Sequence, residues 1–195
     1  MNKNNIINIG ITVIVFAGIT GASLFASPFH AKAWDNVRCN RNVTGIVSDA
    51  NTRVGQTGYA ALAWDQNPAW TAMIPRAHWI WDSYKVQNPE SDQTVFFFND
   101  LNVIGKPAFG SVTIAADNFY KLYVNGIVVG SELTNENNFA LETQDTYNIL
   151  PYLAEGDNII TFEVMNKGVL GSTPESNPAG LLYNMKAVGI TCQAD

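Results

Sequence analysis

The sequence predicts an all-β protein, an antiparallel β-sandwich of about eight strands. Three observations carry that prediction. In Asp117–Gly130, DNFYKLYVNGIVVG, the dipeptide Asn125-Gly126 sits between two runs of alternating apolar residues. A two-residue type I′ hairpin needs positive φ at both turn positions, which Asn and Gly accept most readily. Strand-like runs with period-two alternation recur along the chain, punctuated by Gly, Pro, Asn and Asp, with almost no helical periodicity. Two cysteines, Cys39 and Cys192, stand near the two ends, so that one bond would join the terminal strands.

The strands follow in order. Val43–Ser48 is a short β-rich run ended by Asp49-Ala50-Asn51, and Tyr59–Trp64 stops at Asp65-Gln66-Asn67-Pro68. His78–Trp81 places Trp79 and Trp81 on one face and Ile80 on the other. Val95-Phe96-Phe97-Phe98 is continuously apolar, the pattern of a strand covered on both faces. Val112, Ile114 and Ala116 lead into the hairpin, where Val124 should face Ile127 and Leu122 should face Val129. Pro151–Ala154 reads as a single helical turn ended by Gly156. Ile160, Phe162 and Val164, then Leu181, Tyr183 and Met185, complete the alternating runs. The expected core is Leu122, Val124, Ile127, Val129, Ile160, Phe162 and Val164. Ser131–Asn138 and Gly168–Gly180 are the long polar loops.

The amino terminus reads as a processing signal. Lys3 supplies a minimal positive region, Ile6 to Phe25 is nearly free of polar residues, and Ala31-Lys32-Ala33 is an A-x-A site. Residues 1–33 are therefore expected to be a secretory signal peptide and 34–195 a single domain. The alternative is a retained anchor, since an apolar run of about 20 residues can span a bilayer. Cleavage would leave 162 residues (195 minus 33), enough for one core and too few for two ordinary domains. Loss of Lys3 and Lys32 takes the 11 basic residues to 9 against 17 acidic ones, a balance of −8. That argues against nucleic acid and anionic membrane as partners. In a secreted chain Cys39 and Cys192 are expected to pair, closing a long loop.

Several motifs are familiar in combination. Trp70-Thr71-Ala72-Met73-Ile74-Pro75 precedes Ala77-His78-Trp79-Ile80-Trp81, and Phe96-Phe97-Phe98 follows. Asp117-Asn118 with Tyr120, Leu122, Tyr123, Asn125 and Gly126 forms the hairpin signature. Tyr147-Asn148-Ile149, Tyr152-Leu153 and Gly156-Asp157-Asn158 lead into the next strand. This order resembles the galactose-binding-domain-like jelly roll of accessory domains in bacterial rhamnosidases and family 2 glycosidases, over about Ala60 to Ile190. The resemblance implies a jelly-roll sandwich, and its matching positions are mostly turn and core residues.

Candidate chemistry is sparse. After cleavage His78 is the sole histidine, so a Ser-His-Asp arrangement would have to be built around it. No spacing among Asp82, Glu90, Asp92, Asp100, Asp117, Glu132, Glu142 and Glu163 nominates a pair of glycosidase carboxylates. Asp117-Asn118 is read as shaping a turn rather than binding calcium, and no metal or other cofactor is expected. Trp64 and Trp70 bracket the turn Asp65–Ala69, so Trp64, Asp65 and Trp70 are the ligand-rim candidates: aromatic faces for stacking and a fixed polar group. Core packing is the competing reading for both tryptophans. Two functional classes follow. One is a secreted, non-catalytic module for an extracellular glycan or cell-surface polymer. The other is a structural subunit of a surface layer, fimbria or matrix that self-associates.

Overall fold

The computed structural model describes residues 37–56 and 58–194. The expected signal peptide, residues 1–33, lies outside them. Among the described residues twelve strands run in chain order: β1 (Val37–Val47), β2 (Arg53–Val54), β3 (Gly58–Tyr59), β4 (Ala61–Leu62), β5 (Ile80–Trp81), β6 (Gln93–Val103), β7 (Lys106–Asp117), β8 (Phe119–Val124), β9 (Ile127–Glu132), β10 (Asp145–Asn148), β11 (Gly156–Asn166) and β12 (Gly180–Ala194). They form two antiparallel sheets. The first runs β10-β7-β12-β5-β4, with β1 also paired to β12, and the second runs β3-β2-β6-β11-β8-β9. The sandwich and its antiparallel pairing are as the sequence predicts. The higher strand number has a physical source: the run Tyr59–Trp64 divides, leaving β3 in the second sheet and β4 in the first, with buried Ala60 between them.

Inner-face residues of the two sheets make one core. Leu122, Val124, Ile160, Phe162 and Val164 are fully buried, as expected from their alternation. Phe162 of the second sheet meets Tyr183 of the first with ring centroids 4.4 Å apart. The Tyr183 hydroxyl lies 3.1 Å from Thr52 Oγ1 and accepts from Asn99 Nδ2 at 3.1 Å, so the ring carries its polar end into the core with partners.

The hairpin is formed as read, with φ of 53° at Asn125 and 78° at Gly126. Val124 pairs with Ile127, but the register then shifts and Leu122 pairs with Gly130 instead of Val129. A bulge of this kind inserts one residue and re-aims the strand. The core assignment of Ile127 needs correction, since it is 56% exposed, whereas Val129 is partly buried and packs against the core. β9 is an edge strand, and β10 of the opposite sheet covers it at Gly130, where a Cβ would stand 2.1 Å from the Tyr147 ring. Ile127 lies at the other end of the strand, next to the turn.

Asn125 does more than turn the chain. Its Nδ2 donates to the Tyr152 carbonyl (3.0 Å) and to Asn158 Oδ1 (2.9 Å), and its Oδ1 accepts from the Ile159 N–H (2.9 Å). Buried Asn158 in turn donates to the carbonyls of Ala154 and Gly156, both at 2.9 Å. The hairpin tip is thus latched to the 3₁₀ turn Leu150–Tyr152, which contains Pro151 but ends before the Ala154 expected to close it.

The continuous apolar run of β6 also differs from expectation. Val95 and Phe97 face inward, whereas Phe96 is 44% exposed on the outer face of the second sheet. That strand is covered on one face rather than two. At the ends of the domain, Cys39 on β1 stands directly opposite Cys192 on β12. Their disulfide closes with Cα atoms 4.1 Å apart across a sequence separation of 153.

Candidate functional site

The long connection from β4 to β5, residues 63–79, lies against the outer face of the first sheet. Alternation fixes that face: Val112, Ile114 and Ala116 of β7 point into the core, so Thr113, Ala115 and Asp117 point away from it. Asn184 pairs with Thr113 and donates from Nδ2 to the Pro75 carbonyl at 2.8 Å, which seats the connection there. Ala72 N–H donates to the Phe139 carbonyl (3.0 Å), Met73 N–H to Gln144 Oε1 (3.0 Å), and Leu141 N–H to Thr71 Oγ1 (3.1 Å). Two loops distant in sequence are stitched into a single cover.

Within this cover the two ligand-rim tryptophans take different positions. Trp70 is buried, its ring 4.3 Å from that of Trp79, and its Nε1 donates to Asp117 Oδ2 at 2.8 Å. Gly180, opposite Asp117 on β12, permits this approach, since a Cβ there would come within 2.7 Å of the Trp70 ring. Trp70 thus offers no face to solvent and instead anchors the base of the turn. Trp64 is half-buried and Asp65 exposed. Asn67 closes the turn between them, its Oδ1 accepting from Ala69 N–H at 2.9 Å and its carbonyl from Trp70 N–H at 3.0 Å. Trp64 N–H donates to the Tyr84 carbonyl at 2.7 Å, which sets an exposed tyrosine beside it along the backbone. Strand alternation does not mark Tyr84, because it lies in the bends after β5.

Asp117 is the group whose chemistry the fold alters most. It ends β7 almost fully buried, and its Oδ1 has no hydrogen-bond partner. Burial pushes its carboxyl up to about 7, against the pull of the Trp70 hydrogen bond. The adjoining Asp117–Asn118 peptide is cis. Asn118 then ties the corner together: its N–H donates to the Met165 carbonyl (3.0 Å), its Oδ1 accepts from Lys167 N–H (2.7 Å), and its carbonyl accepts from Asn138 Nδ2 (2.9 Å). This pair shapes the crossing between sheets. Among the described residues no group of three or more His, Cys, Asp or Glu is placed to hold a metal ion.

The raised Asp117 value has a signed consequence. Above the unfolded value of 3.8 the unfolded chain releases this proton while the folded chain keeps it to about 7. This contribution to stability is therefore lost as pH rises from about 4 to about 7, and the penalty is constant above that. Asp117→Asn keeps an acceptor for Trp70 and removes the titration. Urea denaturation at about pH 5 and about pH 8 should show a smaller loss of stability in the variant than in the native protein. Equal losses in the two proteins would remove Asp117 as the source.

No protein-family model and no curated protein matches the chain. Similar solved structures include the Streptomyces avermitilis α-L-rhamnosidase complexed with L-rhamnose, at 16% identity and a TM-score of 0.44, over 79% of this chain and 14% of that one. The GH78 family rhamnosidase of Bacillus sp. GL1 is 19% identical with a TM-score of 0.43, over 61% of this chain and 13% of that one. A β-D-glucuronidase of Dictyoglomus thermophilum is 12% identical with a TM-score of 0.41, over 76% and 28%. The chain thus spans less than a third of the length of each of these enzymes. At these values the similarity assigns no activity to the chain.

Proposed function

We propose that the chain is a secreted, non-catalytic module that binds an extracellular carbohydrate or cell-surface polymer. The observation that carries this reading is the exposed turn at Trp64 and Asp65, whose base is held rigid by the Trp70–Asp117 hydrogen bond and the Trp70–Trp79 ring contact. A sugar site needs an aromatic face and a few fixed polar groups, and preorganisation limits the ordering cost of binding. Trp64 and Asp65 would contact the ligand, with Trp70 holding them in place.

A glycan array probed with the purified domain tests the reading, together with Trp64→Ala. The variant should lose binding while its melting temperature holds, because Trp64 is only half-buried. A variant that binds as well as the native protein would remove the turn from the site, and a blank array would remove the glycan. A second reading, a self-associating structural subunit, is favoured by the apolar pair Val169 and Leu170, the latter 91% exposed on the loop between β11 and β12. Concentration-dependent growth in sedimentation velocity would favour that subunit.

A further inference from the structure

A row of side chains runs across the outer face of the second sheet. Tyr59 of β3 stands opposite Arg53 of β2, which stands opposite Phe98 of β6. Phe98 stands opposite Thr161 of β11, and Thr161 opposite Tyr123 of β8. Paired residues share a face, and the neighbours Phe97, Phe162 and Leu122 are fully buried, so the whole row points outward. Tyr59 is 68% exposed, and Phe98 and Tyr123 are half-buried. An aromatic ring therefore recurs at every second strand, about 10 Å apart at the usual strand spacing.

The polar groups of this face restrict its partner. The Tyr123 hydroxyl donates to Glu163 Oε2 at 2.7 Å, two residues along β11 from Thr161, so the ring leans diagonally over the sheet and is held there. Lys121 Nζ lies 3.3 Å from Glu163 Oε1, and Arg53 Nη2 lies 2.8 Å from Asp100 Oδ1. These four charges are matched in pairs, and the further carboxylate of this face, Asp157, accepts from Asn102 Nδ2, so the face carries little of the chain's formal charge of −6. Charge complementarity therefore selects an uncharged partner.

We propose that this face binds a single uncharged β-1,4-linked pyranose chain lying across the strands, with Tyr59, Phe98 and Tyr123 as stacking platforms. Alternate rings of such a chain turn the same C–H-rich face to one side, and two ring lengths match two strand spacings. An α-1,4-linked chain curls and cannot keep that register. Sheet twist rotates each platform by about 40–50° from the last, which suits one chain able to follow the twist rather than a flat crystalline surface. The proposal rests on the carbohydrate reading above and assigns it a surface separate from the Trp64 turn.

Calorimetric titration of cellohexaose, chitohexaose and maltohexaose into the disulfide-bonded protein tests it, with Tyr59→Ala and Tyr123→Ala alongside. A β-1,4 hexaose should bind at least about tenfold more tightly than its disaccharide, and each variant should weaken it about tenfold. The Tyr59→Ala melting temperature should stay unchanged, since this ring is largely exposed. Unchanged hexaose affinity in both variants overturns the face while leaving a glycan site elsewhere standing. Equal affinity for maltohexaose also overturns it. Absence of binding by the native protein to all three hexaoses overturns the face, and the array decides separately whether any glycan is bound. A native dimer that Tyr59→Ala dissolves would give the face to a second copy of the chain and overturn the proposal.

Discussion

Replacing Cys39 and Cys192 together by alanine is expected to lower stability by up to about 5 kcal/mol, the chain-entropy value for so long a closed loop. The sequence separation is 153, and most of the chain lies inside the loop, so the bond restricts nearly the whole unfolded ensemble. The folded state loses little, because β1 remains paired to β12 from Val37 to Val47 without the sulfurs. Urea denaturation of the oxidised protein and the double variant measures this directly. The slope with urea should steepen in the variant, since an uncrosslinked chain exposes more surface on unfolding. An unchanged midpoint would mean that the β1–β12 ladder alone fixes the ends.

Trp70→Ala should cost about 3–5 kcal/mol through the cavity it leaves. It also leaves Asp117 with both carboxylate oxygens unpartnered, since Oδ1 has no partner already. Trp70→Phe separates the two contributions, restoring much of the packing against Trp79 but not the N–H donor. The order of melting temperatures should be native, then Phe, then Ala. A Trp70→Ala protein that melts with the native one but loses glycan binding would instead return Trp70 to the ligand rim.

Much of the fold is legible in sequence because turn chemistry is local. Asn125-Gly126 specifies its own dihedrals, and alternation on either side assigns Leu122, Val124, Ile160, Phe162 and Val164 to the core without knowledge of the partner sheet. Ile127 escapes that logic, and Val129 follows it only in part. Alternation says which residues share a face, but whether the face is covered depends on how far the opposite sheet extends and on the bulge between Leu122 and Tyr123. Phe96 escapes for a related reason: a continuous apolar run signals two covered faces, yet here the outer side leaves Phe96 exposed and Phe98 half-buried. The candidate site is less legible still. Trp64 and Trp70 look alike as brackets of one turn. What separates them is a carboxylate 47 residues away, brought to Trp70 by the pairing of β7 with β12. The cysteine pair is legible because two cysteines in the chain leave one intramolecular pairing.

The placement of that pair bears on how the domain carries mechanical load. Force entering the chain before Cys39 and leaving after Cys192 passes through a single covalent link. Residues 40–191 are shunted out of the tension path. Both sheets and the faces proposed to bind ligand therefore keep their shape while the flanking chain is pulled, and under reducing conditions the same pull falls first on the hydrogen bonds between β1 and β12.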